Sequence, residues 1–363
     1  MDKILAAPGR YVQGPGTLDR LADYVGKLGD KPLVIVDKNV REFLGDKLTQ
    51  VMAGQLDPIM EPFRGESSRQ EVMRLQELGA DKANVVIGVG GGKTIDTAKA
   101  VAYYLKAPVA IVPTIAATDA PTSALSVLYT EDGVFDEYLV LPANPDLVLV
   151  DTRIIASAPA RFLSSGMGDA LATYFEAEAC AKSNAVATAG GVQTLAARQL
   201  ARLCFETLME YSEQALWAAE HKVITPALEY IVEANTLLSG LGFESGGLAA
   251  AHAIHNGFTA LEETHVVYHG EKVAYSTIVQ MVLEGRSSEE IEEVIDFCIA
   301  VNLPVTLAQL GIEKPDPQRL MLAAEAATKP EETIHNMPFP VTAEMVRDAI
   351  IAADAIGSAL LGN

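Results

Sequence analysis

Cationic side chains are scarce in this sequence. Of its 363 residues only 27 are Lys or Arg, against 48 Asp or Glu, which leaves a formal net charge of −21. A chain with that balance repels phosphate backbones and anionic bilayer surfaces, so neither nucleic acid nor membrane is an expected partner. Cysteine is equally sparse. Cys180, Cys204 and Cys298 are odd in number and widely spaced, with no CxxC pair, which argues against a disulfide framework or a thiolate metal cage and fits a reducing cytoplasm. No uninterrupted apolar run approaches the ~18 residues of a membrane span, and the N-terminal Met1-Asp2-Lys3-Ile4-Leu5 lacks a sustained apolar segment. The sequence reads as soluble and untargeted. Aromatic residues are few (6%), but 49% hydrophobic with 21% charged is the composition of a protein with a large core rather than of a disordered chain.

Charge and pattern both change along the chain. Residues 1–158 carry 21 acidic and 16 basic side chains, residues 159–363 carry 27 and 11, so the acid excess lies in the second part. The first part contains four short β-branched runs, Leu33–Val36, Val85–Val89, Val109–Val112 and Leu147–Val150. Runs of this kind read as parallel strands buried on both faces, and the helical stretches Ser68–Leu78 and Thr94–Leu105 between them give β-α-β alternation. From Pro159 on, Ala-, Leu- and Glu-rich stretches over 159–181, 186–209, 225–238, 273–283 and 288–301 predict helix almost throughout. Pro159 suits the opening of a helix. An α/β domain over 1–158 and an all-α domain over 159–363 are therefore expected.

Asn84 to Asp96 reads as a strand, the glycines Gly88, Gly90, Gly91 and Gly92, then Lys93 and a helix start. Glycines let a backbone approach a diphosphate closely, and the N–H groups of a helix N-terminus face its charge. The spacing fits neither GxGxxG, because Lys93 stands at the last glycine, nor GxxxxGK[ST], because Ile87 stands at the first. A tight turn with no ligand stays open. Asp37 closes the strand Leu33–Val36, where a carboxylate can accept from both ribose hydroxyls of NAD, or simply face solvent. The hydroxyl-rich loop from Pro113 to Leu125 follows the third run, where ligands collect in open sheets, though a plain turn cluster is the other reading.

Four of the six histidines fall within residues 252–269. His252 and His255 are three apart on one helix, and His269 opens the next helical run. With Asp169, embedded in small apolar residues, His252 and His269 would supply three N/O ligands and leave a catalytic zinc its open position. His255 and His265 become second-layer or proton-relay candidates, a structural role remaining open for His265.

The segments Gly90-Gly91-Gly92-Lys93-xx-Asp96, Pro113-Thr114-xxx-Thr118-Asp119-Ala120-Pro121-x-Ser123-Ala124, Gly166-x-Gly168-Asp169-Ala170, Gly242-Phe243-Glu244-Ser245-Gly246-Gly247, His252-xx-His255-Asn256-Gly257 and His269-Gly270-Glu271-Lys272-Val273 resemble the bacterial NAD-dependent glycerol dehydrogenases of the iron-containing alcohol dehydrogenase superfamily. The resemblance runs in order from near residue 10 to near residue 285. It implies a dehydroquinate synthase-like fold, with a Rossmann-like domain, a helical domain and the metal and active site in the cleft between them. It implies zinc on Asp169, His252 and His269, and NAD contacts from Asp37, Gly92, Lys93, Asp96, Thr114, Ser123, Leu125 and Tyr129. Asp119 would contact substrate and, with His255, serve the proton transfer. The implied reaction is zinc-assisted oxidation of glycerol to dihydroxyacetone by hydride transfer from C2 to NAD, with action on other vicinal diols such as 1,2-propanediol. A homo-octamer is implied too. Two departures matter. Ala117 replaces a hydroxyl residue near the cofactor, and Thr173 stands where the iron enzymes place a histidine one turn after the Asp, which favours zinc over iron. The alternatives are an iron-type alcohol dehydrogenase, a glycerol-1-phosphate dehydrogenase and a 3-dehydroquinate synthase-like lyase. The last two need a basic phosphate pocket, and residues 244–272 offer only Lys272.

Overall fold

Eight strands and a series of helices account for most of the chain; the structure, a computed structural model, describes residues 1–362, the side chain of Phe135 excepted. The domain expected over 159–363 thus ends on one residue, Asn363, outside the described ones. The chain divides into two compact units: Ala6–Pro159 with Ala218–Gly240, and Met1–Leu5 with Ala160–Trp217 and Leu241–Asn363.

The first unit is built on a parallel sheet. Its strands are β1 (Tyr11–Gly14), β2 (Pro32–Asp37), β3 (Ile59–Phe63), β4 (Val85–Gly90), β5 (Val109–Pro113) and β8 (Leu147–Asp151), in the order β1-β8-β5-β4-β2-β3. A separate antiparallel pair, β6 (Leu125–Tyr129) and β7 (Phe135–Val140), leaves the sheet after β5. The four runs foreseen in the sequence are β2, β4, β5 and β8. Every residue of β4, β5 and β8 is buried, and each fully buried Val, Leu or Ile contributes about 1.5–3 kcal/mol of transfer free energy. From β2 the chain steps outward to β3, then returns across β2 to β4 and proceeds the other way. That reversal sets a topological switch point at the carboxyl ends of β2 and β4, where open α/β sheets bind ligands.

Two segments depart from the expected division at residue 158. Residues 218–240, expected in the helical domain, belong to the α/β unit because their polar groups are satisfied there. Gln13 Nε2 donates to Glu229 O (2.8 Å), Asn235 Nδ2 to Ala116 O (2.9 Å), and Thr122 Oγ1 to Thr236 O (2.8 Å). The helix expected over 225–238 is α-helical only over Pro226–Glu233 and widens into a π-turn at Ala234–Leu238. Conversely Met1–Leu5 joins the helical unit, Ile4 N donating to Val192 O and Val192 N to Asp2 O.

A buried cation organises the loop after β5. Lys99, on the helix Gly92–Leu105, has its side chain wholly buried, and Nζ donates to Ala120 O (2.9 Å), Ser123 O (3.4 Å) and Leu125 O while pairing with Asp96 Oδ1 at 2.9 Å. Replacing Lys99 with Met should leave these acceptors without their buried donor and cost about 3–5 kcal/mol. A melting temperature within a degree or two of wild type, by calorimetry, would show that the ammonium does not hold the loop.

The helical unit contains Ala160–Ser183, Leu195–Glu220 up to residue 217, the Ser239–Gly246 helix from residue 241, Ala250–Phe258, His269–Leu283, Ser288–Ala300, Pro317–Ala327 and Ala343–Leu360. The helix expected to begin at 186 begins at 195. Asn184 (φ 54°) and Gly190 (φ 86°) adopt left-handed backbone in the intervening loop, and Gly191 packs against Asp2 and Ile4. The helix that carries the apolar stretch 273–283 opens at His269, as expected, and Glu271 Oε2 accepts from Tyr268 N (2.8 Å) across its first turn. Arg161 holds the same carboxylate from the neighbouring helix through Nε (2.6 Å) and Nη2 (2.8 Å).

Candidate active site

In the helical unit, the helices Ala160–Ser183 and His269–Leu283 cross at two glycines. A Cβ on Gly168 would fall on the carbonyl oxygen of Gly270, and one on Gly270 would fall on that of Ser165. The residues that follow and precede these glycines, Asp169 and His269, are thereby brought together: His269 Nε2 lies 3.0 Å from Asp169 Oδ1. The helix Ala250–Phe258 adds His252, whose Nε2 lies 3.4 Å from the same oxygen. One donor atom from each of Asp169, His252 and His269 falls within 4.8 Å of the other two, the arrangement expected of a three-ligand cation site and the sole such group among the described residues.

The electrostatics suit a cation. Burial alone would push the Asp169 carboxyl up, but the imidazoles of His269 and His252 outweigh it and hold the group far below the usual carboxylate range. For His252, burial favours the neutral ring, yet Glu176 and Asp169 outweigh it and raise the pKa well above that of an ordinary imidazole. His255 is driven the opposite way, by burial first and then by His269, Lys272 and His252, and stays neutral. Its ring stands edge-on to His269 at 4.2 Å between centroids, and Nδ1 faces Asn256 Oδ1 at 3.1 Å. Asn256 Nδ2 in turn donates to Glu332 (3.0 Å). His265 lies on the exposed turn Glu262–Val266 with Nε2 on Thr259 O (2.9 Å), outside the donor group.

In the α/β unit, Asp37 and the glycine turn end the adjacent strands β2 and β4 at the switch point. Asp37 Oδ1 caps the following helix, accepting from Asn39 N (2.8 Å) and Val40 N (3.2 Å). A Cβ on Gly90 would meet Thr94 at 2.8 Å and Asp37 at 3.1 Å, whereas one on Gly92 meets nothing nearer than Thr118 Oγ1 at 3.6 Å. Gly91 begins the helix Gly92–Leu105 with no side-chain cap, so that N-terminus has the bare backbone that an anion cradle requires. The helix starts two residues before the expected Thr94. Lys93 Nζ pairs with Glu66 at 2.6 Å and lies 5.0 Å above the Tyr129 ring. Tyr129 is half-buried, and desolvation pushes its phenol up.

The other predicted cofactor residues divide by environment. Asp96 is engaged inside the unit, Oδ1 with Lys99 and Oδ2 accepting from Val127 N (3.2 Å). Thr114 N donates to Gly90 O (3.0 Å), and Ser123 and Leu125 offer their carbonyls to Lys99. Ala117 is buried. Asp119 Oδ2 accepts from Ser239 Oγ at 2.7 Å. Sequence reasoning missed Glu176, which lies against His252, and the Arg161–Glu271 pair, which anchors the helix bearing His269. The signal for Glu176 was its position two turns after Asp169 on one helix face.

Comparison with known proteins identifies relatives along the whole chain. Residues 8–152 match the iron-containing alcohol dehydrogenase family. The chain is 55% identical to a glycerol dehydrogenase of Pseudomonas putida, over 99% of this chain and all of that one, and 48% identical to a glycolaldehyde reductase of Halobacterium salinarum over 98% of each. A crystal structure of glycerol dehydrogenase from Schizosaccharomyces pombe superposes with a TM-score of 0.95 at 42% identity, over 99% of this chain and 93% of that one. No helix among the described residues is long and apolar enough to cross a membrane. A parallel α/β unit, a helical unit carrying an Asp-His-His donor group and full-length identity above one half together show that the chain belongs to the glycerol dehydrogenase family of oxidoreductases, within the iron-containing alcohol dehydrogenases.

Proposed function

We propose that this chain oxidises glycerol at C2 to dihydroxyacetone with NAD as acceptor and zinc as the resident metal, releasing NADH and a proton. The observation that supports this most is the group Asp169, His252 and His269, whose donor atoms lie within 4.8 Å of one another. Two imidazoles and a carboxylate suit zinc, whose bonds of about 2.0–2.2 Å to N and O place neighbouring ligand atoms roughly 3.4 Å apart in a tetrahedron. The two separations from Asp169 Oδ1, 3.0 and 3.4 Å, are of that size. Thr173, buried one turn after Asp169, supplies no imidazole and so favours three protein ligands over four.

When bound, zinc supplies Lewis acidity towards a substrate hydroxyl, and NAD supplies the hydride acceptor. The chain does the rest by position. Gly92 and the helix N-terminus take the diphosphate, Lys93 turns from Glu66 towards it, and Asp37 accepts from ribose hydroxyls. Thr114, Ser123, Leu125 and Tyr129 line the remainder, while Asp96 acts indirectly, through Val127 and Lys99, by fixing the strand that carries Leu125 and Tyr129. Asp119 orients a free hydroxyl of the polyol. His255 donates from Nδ1 to Asn256 and keeps Nε2 unprotonated, so that nitrogen can accept the departing hydroxyl proton. The same reading includes other vicinal diols such as 1,2-propanediol, a reducing cytoplasmic setting for three buried cysteines that form no disulfide, and a homo-octamer.

Purified chain incubated with NAD and glycerol should accumulate NADH, lose turnover on chelation and regain it with zinc. Full turnover without metal would overturn the zinc assignment, and no NADH from any diol would overturn the reaction. The relative named glycolaldehyde reductase supports a second reading, reduction of a small hydroxyaldehyde at the same site. NADH consumption with glycolaldehyde at a kcat/KM above that for glycerol oxidation would favour it.

A further inference from the structure

Glu176 lies on the same helix as Asp169, two turns on, and is completely buried. Its Oε1 accepts from the backbone N–H groups of Ala249 (2.8 Å) and His252 (3.0 Å), and its Oε2 stands 2.6 Å from His252 Nδ1. The other ring nitrogen, Nε2, faces Asp169. We propose that Glu176 is the positioning residue of the metal centre: its carboxylate keeps a proton on Nδ1 of His252 and so presents the Nε2 lone pair to the cation. The proposal rests on the reading of Asp169, His252 and His269 as ligands.

A neutral imidazole has one donor and one acceptor nitrogen, and an ionised carboxylate only accepts. A carboxylate at hydrogen-bond distance from Nδ1 therefore makes Nδ1 the donor and Nε2 the free base, the tautomer a metal requires. The carboxylate cannot easily turn away, because its other oxygen is tied to two N–H groups at the start of the helix Ala250–Phe258. That helix has no side-chain cap at Ala249, and the next two N–H groups, of Ala250 and Ala251, go to Gln280 Oε1 at 3.1 and 2.9 Å. Glu176 and Gln280 thus cap the helix together. Capping, however, needs only an acceptor at Oε1. It does not need a negative charge at Oε2.

This difference separates a structural role from a positioning one. In Glu176→Gln the amide oxygen can still accept from Ala249 N and His252 N, but its NH2 group then faces Nδ1. Nδ1 becomes the acceptor, and the proton moves to Nε2, the nitrogen that the cation needs. Zinc affinity, measured on the full chain by competition with a chromogenic chelator at neutral pH, should fall about 10–100-fold in Glu176→Gln, while the melting temperature of the metal-free protein stays that of wild type. His252→Ala is measured beside it. If His252→Ala binds zinc like wild type, the ligand reading and the proposal fall together. If His252→Ala loses zinc but Glu176→Gln binds it like wild type, the proposal alone is overturned. Should Glu176→Gln fail to fold, zinc-loaded wild type carrying heavy-nitrogen-labelled histidine decides by NMR: a proton on Nδ1 of His252 is expected, and a bare Nδ1 overturns the proposal.

Discussion

Replacing Asp169 with Asn is expected to lower kcat/KM for glycerol by about 10³-fold or more, because on the proposed ligand set the isosteric change removes the one anionic member and with it several kcal/mol of cation-dependent charge stabilisation. The residue is buried and its Oδ1 faces both imidazoles, so the loss is one of charge rather than of shape. Zinc content after dialysis should fall in step with activity; a variant retaining stoichiometric zinc and more than a tenth of wild-type turnover would show that the carboxylate is not a ligand. The wild-type site also has a pH signature. His252 has its pKa raised in the metal-free protein, so the proton competes with the metal from a pH above that of an ordinary imidazole, about 6.5. Apparent zinc affinity should therefore be full at alkaline pH and decline as pH falls through that raised value. In Asp169→Asn the decline should begin at lower pH, since one of the two carboxylates that raise His252 is gone.

The second large effect is expected at Gly270, a residue with no side chain to offer a ligand. Alanine there would put its Cβ onto Ser165 O, with Asp169 N also at 3.0 Å. The obstacle is backbone rather than the end of a side chain, so the helices must separate. Overpacking of this kind typically costs 1–3 kcal/mol, and a backbone clash belongs at the upper end, about 3 kcal/mol or more. Urea denaturation should show that loss together with weaker zinc retention, since the separation of the helices is also the separation of Asp169 from His269. Gly45→Ala is the control. Gly45 sits in the helix Lys38–Met52, where the nearest atom to a new Cβ is Arg41 Cγ at 3.4 Å, and alanine there should be neutral or stabilising by up to about 1 kcal/mol. Equal destabilisation by both changes would remove the crossing argument.

The legible parts of this molecule were those written in local pattern. The four β-branched runs became β2, β4, β5 and β8 because a strand buried on both faces must be apolar along its whole length. The donor group was legible because histidine is rare here and four of six fall within 18 residues. What was not legible depends on contacts distant in sequence. The assignment of residues 218–240 turns on hydrogen bonds such as Gln13 to Glu229, which no local window contains. Asp96 was expected to face the cofactor, but it is engaged by Lys99, a cation whose side-chain type alone gives no sign that it is buried. Glu176 was hidden by its chemistry: a carboxylate among alanines looks unremarkable until the imidazole it touches is known. The charge asymmetry retains its meaning. Within the helical unit Lys272, the one cationic residue of 244–272, lies buried rather than on an open phosphate-binding surface.

The excursion of residues 218–240 into the α/β unit has a consequence for how the chain is made. Synthesis runs from the N-terminus, and domains commonly fold as they emerge. Here the last strand of the sheet ends at Asp151, but the partners of Ala116 O, Gln13 Nε2 and Asp119 Oδ2 reside at Asn235, Glu229 and Ser239. The α/β unit therefore gains its full set of hydrogen bonds only after residues 218–240 have been made. The first 58 residues of the helical segment, Ala160–Trp217, are made before that completing segment. Neither unit can be excised as one uninterrupted piece of chain, so a truncation at residue 158 would yield the sheet without residues 218–240 rather than the whole α/β unit.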